Sequence, residues 1–305
     1  MKKIFFLVAA VAVSLSMSAQ KQMHVWVNGI ETKYAISEVD SITFTDPSTA
    51  GGIGVFSVSA DKQVTFSKGN LQYTRSTDTW SFAGAQYEVI GTDNVIGGSV
   101  ESDPTHGDYK YGDALADKID LFGWSTGATN FGVSTSTDYD DYYGSFVDWG
   151  TNQIGADAPN TWRTLTYAEW SYLLWERPNY SELCGVVSVN GVNGLVLLPD
   201  NWTYQSGVTF QSGFHSSHGV DNYAAYQTFT ADQWSKLESV GAVFLPASGT
   251  RNGSSVYGVQ CNGYYWFAPE NDSYLTYCFY FSSGGTGQTN IRHDLGHSVR
   301  LVKDL

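Results

Sequence analysis

The chain has 305 residues and a formal net charge of −14, from 16 Lys and Arg against 30 Asp and Glu. Phosphate backbones and anionic lipid surfaces repel so acidic a chain, which disfavours nucleic-acid binding. Aromatic residues make up 15% and charged residues only 15%, with 32 Gly. That mixture suits short strands, tight turns and long ordered loops.

Residues 1–19 have the layout of a secretory signal peptide. Met1-Lys2-Lys3 is a basic start, residues 4–13 are apolar, and Ser14, Ser16, Ser18 and Ala19 are small. The apolar run is too short to span a bilayer. Cleavage is expected near Ala19, with export to the periplasm, cell surface or medium. No other long apolar segment follows, so no membrane span is expected in the mature chain.

Residues 20–45 read as a short β-rich segment. Val25 and Val27 alternate around Trp26, Asn28-Gly29 offers a turn, and Ile42 and Phe44 alternate again. Residues 46–54 contain Asp46-Pro47-Ser48-Thr49-Ala50-Gly51-Gly52, a linker composition. The main domain is expected over residues 55–305. It opens with paired strands at 55–59 and 63–67 around Ala60-Asp61-Lys62, and the alternation continues at 71–73 and 80–82. A weaker helical pattern covers residues 114–122.

Two helices carry capping-box spacing. Thr166 stands three residues before Glu169, and Thr230 three before Gln233. Tyr167, Trp170, Leu173 and Leu174 share one helical face, and Pro178 stops the run. Trp234 and Leu237 face inward on the second helix, which Gly241 ends. Between the helices, apolar runs at 186–189 and 195–198 flank Asn190-Gly191-Val192-Asn193-Gly194, a hairpin signal. The segments 243–245, 264–266, 276–281 and 298–302 then read as strands of one antiparallel sheet, with a Gly-rich turn or loop at 282–287. The expected fold class is α+β, with a twisted antiparallel sheet, two main helices and long loops.

Trp162-Arg163-Thr164-Leu165-Thr166-Tyr167-Ala168-Glu169-Trp170 resembles the helix-opening motif of formylglycine-generating-enzyme-type domains, in which a short strand leads into a Glu-Trp helix. Gly249-Thr250-Arg251, Gly263-Tyr264-Tyr265-Trp266 and Gly296-His297-Ser298-Val299-Arg300-Leu301-Val302 resemble their C-terminal strands. The series is also similar to large paralogous domains of Fibrobacter and Bacteroides secreted proteins. The resemblance covers residues 55–305 and implies the C-type-lectin-like fold.

Relatives of that fold include retroelement-diversified variable proteins, whose C-terminal strands display a binding patch. By this resemblance the matching stretch is residues 255–293. Its candidate ligand contacts are Tyr257, Phe267, Glu270, Asn271, Tyr274, Tyr277, Phe279, Asn290, Arg292 and His293. Rings supply stacking area at small entropy cost, and amides supply hydrogen bonds. Strand alternation sets a limit, because half of the rings in a strand face inward.

The candidate chemistry beyond binding is sparse. Cys184, Cys261 and Cys278 are the only cysteines. Export would permit one bridge, with Cys261 and Cys278 nearest in sequence; three buried thiols are the other reading. Cys261 and Cys278 are too widely spaced to match the closely spaced reactive cysteines of formylglycine-generating enzymes, so that activity is not expected. Calcium would need converging oxygens. Asp138, Asp140 and Asp141, with Asp148 nearby, and the segment Pro269-Glu270-Asn271-Asp272 are weak candidates. His215 and His218 lie three apart and are a weak metal pair; His293 and His297 lie four apart, but their segment reads as loop then strand and lacks the helix that this spacing needs for zinc. The expected function is therefore recognition of a glycan or protein ligand at the cell surface or outside it. A structural or adhesive envelope subunit, and a hydrolase with dispersed carboxylates, are the alternatives.

Overall fold

The computed structural model describes residues 22–27, 30–35, 54–96, 100–103, 107–110, 114–124, 133–138, 142, 145–205, 207–215, 221–269 and 276–305. The chain divides into two compact units, Met1–Asp46 and Pro47–Leu305. No helix among the described residues is long and apolar enough to cross a membrane.

In the first unit, Gln22–Val27 and Ile30–Ala35 pair antiparallel, with Val27 opposite Ile30. The pairing places His24 across from Lys33. Glu31 sits between them and bonds His24 Nδ1 at 2.5 Å and Lys33 Nζ at 3.4 Å. The expected turn at 28–29 and the alternation at 42–44 lie outside the described residues.

The second unit is a sheet-rich α+β structure. Its first and last strands belong to one sheet, ordered Arg163–Thr164, Leu301–Asp304, Gln63–Phe66 and Phe56–Ser57. The strands expected around Ala60 pair as read, with Phe56 opposite Val64. A second sheet runs Thr228–Phe229, Cys184–Val189, Val192–Leu197 and Val243–Pro246. Its central hairpin turns at Asn190 and Gly191, whose φ angles are 50° and 82°. Positive φ at both positions gives a two-residue turn whose twist matches the strands, and Asn-Gly tolerates it best.

Both capping boxes form. Thr166 accepts from the Glu169 N–H, and Glu169 reaches back to the Thr166 N–H, opening the helix Tyr167–Ser171. A wider π turn, Tyr172–Glu176, continues it. Arg177 then leaves the helix with ψ of 152°, because Pro178 forces its predecessor out of the helical region. Thr230 and Gln233 repeat the box at the helix Ala231–Glu238. A third short helix, Asp221–Tyr226, carried no sequence signal.

Two expectations are corrected. Residues 114–122 are not helical; they contain the short strands Ala114–Leu115 and Lys118–Ile119. Tertiary bonds replace a helical ladder there: Arg75 N–H donates to the Asp117 carbonyl, and the Asp120 carboxylate accepts from Ile90 N–H. The late strands also do not form one sheet. Val243–Pro246 extends the Asn190 hairpin, with Leu195 opposite Leu245. Leu301–Asp304 joins the sheet of the opening strands, and Asn262–Trp266 and Thr276–Ser282 pair in a sheet of their own.

Three apolar clusters form among the described residues of the unit. One surrounds Trp170 with Phe56, Phe66, Phe279 and Phe281. One joins Trp80, Phe122, Trp149 and Trp266. The third lies under Trp234, with Phe244 and Phe229. All three cysteines are buried and none is in a disulfide, so the structure does not contain the Cys261–Cys278 bridge.

Candidate functional site

Three of the candidate contacts, Tyr277, Phe279 and Asn290, lie in a meander of Asn262–Trp266, Thr276–Ser282 and Gly285–Ile291. Register assigns its faces. Tyr265, Phe279 and Gln288 align across the three strands, as do Trp266, Cys278 and Thr289. The first row meets the Trp170 cluster and the second meets the Trp266 cluster. The sheet is thus buried on both faces at Tyr265, Trp266, Cys278 and Phe279, while Gly285–Ile291 is half-buried, with Asn290 exposed.

That burial corrects three candidates. Phe279 is fully buried and stacks on Trp170 with ring centroids 4.9 Å apart. Phe267 is 3% exposed and packs edge-on to Tyr167. His293 is also 3% exposed and stacks on Trp124 at 4.6 Å. None of the three meets solvent as a ligand contact. Tyr257 is half-buried on a different sheet, in Ser255–Tyr257 opposite Thr250. Arg292 is exposed, but its guanidinium is fastened to the buried Asp294 carboxylate at 2.9 and 2.5 Å. Glu270, Asn271 and Tyr274 lie outside the described residues.

Two candidates do come together. Tyr277 and Asn290 are direct cross-strand partners. Tyr277 is half-buried at the border of the Trp170 cluster, and Asn290 is exposed. Tyr167 completes the patch. Its ring is 42% exposed and meets Tyr277 edge-on at 5.6 Å. Gln288, on the same face, donates to Ser171 Oγ at 2.9 Å and to the Tyr167 carbonyl at 3.4 Å, tying the strand to the helix start.

The helical face pattern placed Tyr167 inward with Trp170. Tyr167 follows the cap directly, and side chains lean toward the helix N-terminus, so its ring projects past the helix body. The capping box was the signal that could have located it.

The start of the Tyr167–Ser171 helix is also held by ions. Glu169 accepts from Arg163 at 2.7 and 2.8 Å, from Lys62 at 2.9 Å and from Thr166 N–H at 2.9 Å. Arg163 also bonds Asp304 at 2.7 Å. Burial opposes the charge on Glu169, but these donors outweigh it and hold the carboxyl below its ordinary range. The helix start is thereby fixed to the last strand and to the loop before Gln63–Phe66.

Among the described residues, Asp148, His297, Cys184 and Cys278 are committed to structure. Asp148 accepts from Gly150 N–H at 2.8 Å and Thr164 N–H at 2.9 Å, and burial raises its pKa. Asp138 is exposed; Asp140, Asp141 and the Glu270-Asn271-Asp272 segment lie outside the described residues. No group of three or more metal-ligating His, Cys, Asp or Glu occurs among the described residues. His297 is fully buried, with Trp266 at 4.5 Å and Tyr264 at 5.1 Å. Burial pushes its pKa down to about 3, which leaves it neutral. Burial also pushes the Cys184 thiol up to about 12 and the Cys278 thiol higher still, and a thiol is a poor nucleophile while protonated.

No family model matches the chain, and no curated protein or solved structure matches it.

Proposed function

We propose that the chain is an exported recognition protein that holds its ligand, a glycan or a protein surface, at Tyr167, Tyr277 and Asn290. The observation that carries this reading is the edge-on pair of Tyr167 and Tyr277 beside the exposed Asn290 amide. Two rings presenting an edge and a face, with an amide beside them, can cover an apolar sugar face or a side chain and bond its polar rim. Packing of Tyr167 on the buried Phe267, and the Gln288 bond to its carbonyl, pre-position the rings, which lowers the ordering cost of binding.

The C-type-lectin-like assignment belongs to the same proposal. The sheet-rich α+β architecture supports it, as does the short strand Arg163–Thr164 leading into the Glu169-Trp170 helix. Secretion rests on the signal-like residues 1–19.

The test is an array of glycans and immobilised proteins probed with the mature chain, with and without calcium. Each hit is repeated with Tyr167→Ala and Asn290→Ala. Loss of one stacking ring should weaken a true hit about tenfold. Hits that tolerate both substitutions would place the ligand elsewhere and defeat the assignment.

A further inference from the structure

The strand Gly285–Ile291 is an outer strand of its sheet. The two-residue turn at 283–284 makes Ser282 and Gly285 a hydrogen-bonded pair. Alternation then directs the N–H and C=O groups of 285, 287, 289 and 291 toward the neighbouring strand. Those of Thr286, Gln288 and Asn290 point outward, and none finds a backbone partner among the described residues. Proteins that stay monomeric blunt such edges with Lys, Pro, a bulge or a covering element. This strand reads Gly-Thr-Gly-Gln-Thr-Asn-Ile and has no charge and no proline. Its pairing with Thr276–Ser282 is continuous over all seven residues, so no bulge turns it away.

We propose that this edge pairs with the same edge of a second copy, giving a two-fold dimer with one continuous six-stranded sheet. The outward residues are symmetric about Gln288. Antiparallel pairing on a two-fold axis through Gln288 sets Gln288 opposite its own copy, and Thr286 opposite Asn290 of the second copy. Each outward residue then exchanges both of its backbone bonds. A closed isologous contact of this kind stops at two chains.

The uncharged edge also gives two copies, each carrying −14, a place to meet without opposing like charges at the contact. Cross-strand partners share a face, so both Tyr167–Tyr277 patches lie on one side of the joined sheet, roughly 20 Å apart. A dimer would engage repeated ligands with avidity. The assembly itself is independent of what the patch binds.

Sedimentation velocity of the mature chain from about 1 to 500 μM tests the assembly. A monomer–dimer equilibrium should appear, and it should tighten as salt rises from 50 to 500 mM and screens the long-range repulsion. Thr286→Pro removes an outward N–H without touching the inner ladder. Gln288→Lys sets two cations against each other on the axis. Each should weaken the dimer at least tenfold, with an unchanged circular dichroism spectrum. Amide exchange reads the edge in the unmodified protein: the Thr286, Gln288 and Asn290 amides should slow at high concentration while those of Gly287 and Thr289 stay the same. A chain that remains monomeric at 500 μM overturns the proposal. So does a dimer that leaves those three amides unprotected, or one that loosens with salt.

Discussion

The two main helices open with the same device and live in different surroundings. At Thr166 the third helical residue is Glu169, 8% exposed and bound to Arg163 and Lys62. At Thr230 it is Gln233, a neutral side chain whose box is closed only by bonds within the helix. In both, the cap satisfies N–H groups that a helix start leaves free. Only the first cap is also a joint. Through Arg163 and Asp304 it ties the helix to the last strand, and through Lys62 to the loop before Gln63–Phe66. The comparison teaches that a local sequence signal fixes where a helix begins, while the charge of one cap residue decides whether that beginning also holds the fold.

The sharpest way to break the comparison is Glu169→Gln, which makes the first box resemble the second. The capping geometry survives, but the Arg163 guanidinium loses its bidentate acceptor in a mostly buried place. The expected cost is about 3 kcal/mol in urea unfolding. The pH response should change as well. The folded pKa of Glu169 lies below its unfolded value near 4.5. Its charge therefore stabilises the fold above that value, and this contribution is lost as pH falls below it. Wild type should weaken steeply below pH 4.5, and Glu169→Gln should show a shallower acid limb. Equal acid limbs would mean that the ionic joint contributes nothing.

Both helix starts were legible because a capping box is a property of four consecutive residues. The Asn190-Gly191 turn was legible for the same reason. The inward and outward rings of the C-terminal strands were not. Alternation separates faces only when one face meets water, and here Cys278 and Phe279, neighbours on opposite faces, are both fully buried. Nothing in the pattern could tell Phe279 from Tyr277; the difference arises because Trp170 reaches over one and stops short of the other. Residues 114–122 failed in the opposite way. Their helical pattern is real, but Asp117 and Asp120 are bonded by distant backbone, and those bonds outweigh weak local preference.

Asp120 sharpens the comparison from the other side, as a buried carboxylate with neutral donors only. It accepts from Ile90 N–H at 3.0 Å and Asn94 Nδ2 at 2.8 Å, and has no cation within bonding distance among the described residues. Burial raises its pKa to about 6, against the pull of those donors. The folded value exceeds the unfolded one, so the ionised group is a liability at neutral pH. That liability fades as pH falls through about 6 and is gone below 3.8. Stability should rise by roughly 2 kcal/mol between pH 7.5 and 4.5, before Glu169 reverses the trend. Asp120→Asn should flatten that rise whatever its absolute cost. A rise that persists in Asp120→Asn would assign it to another group.

The smallest effect isolates the caps themselves. Thr166→Ala and Thr230→Ala each delete one side-chain acceptor and should cost about 1 kcal/mol. If a cap were purely local, the two costs would match and neither would depend on the ions around it. Thr166, however, shares Glu169 with Arg163, since one carboxylate oxygen takes both the Thr166 N–H and Arg163 NH1. Loosening the helix start should therefore loosen the ion pair. Thr166→Ala should cost a few tenths of a kcal/mol more than Thr230→Ala. That excess should vanish when both are measured in the Glu169→Gln background, where a surplus that remained would have to come from packing around Tyr167 and not from the shared carboxylate.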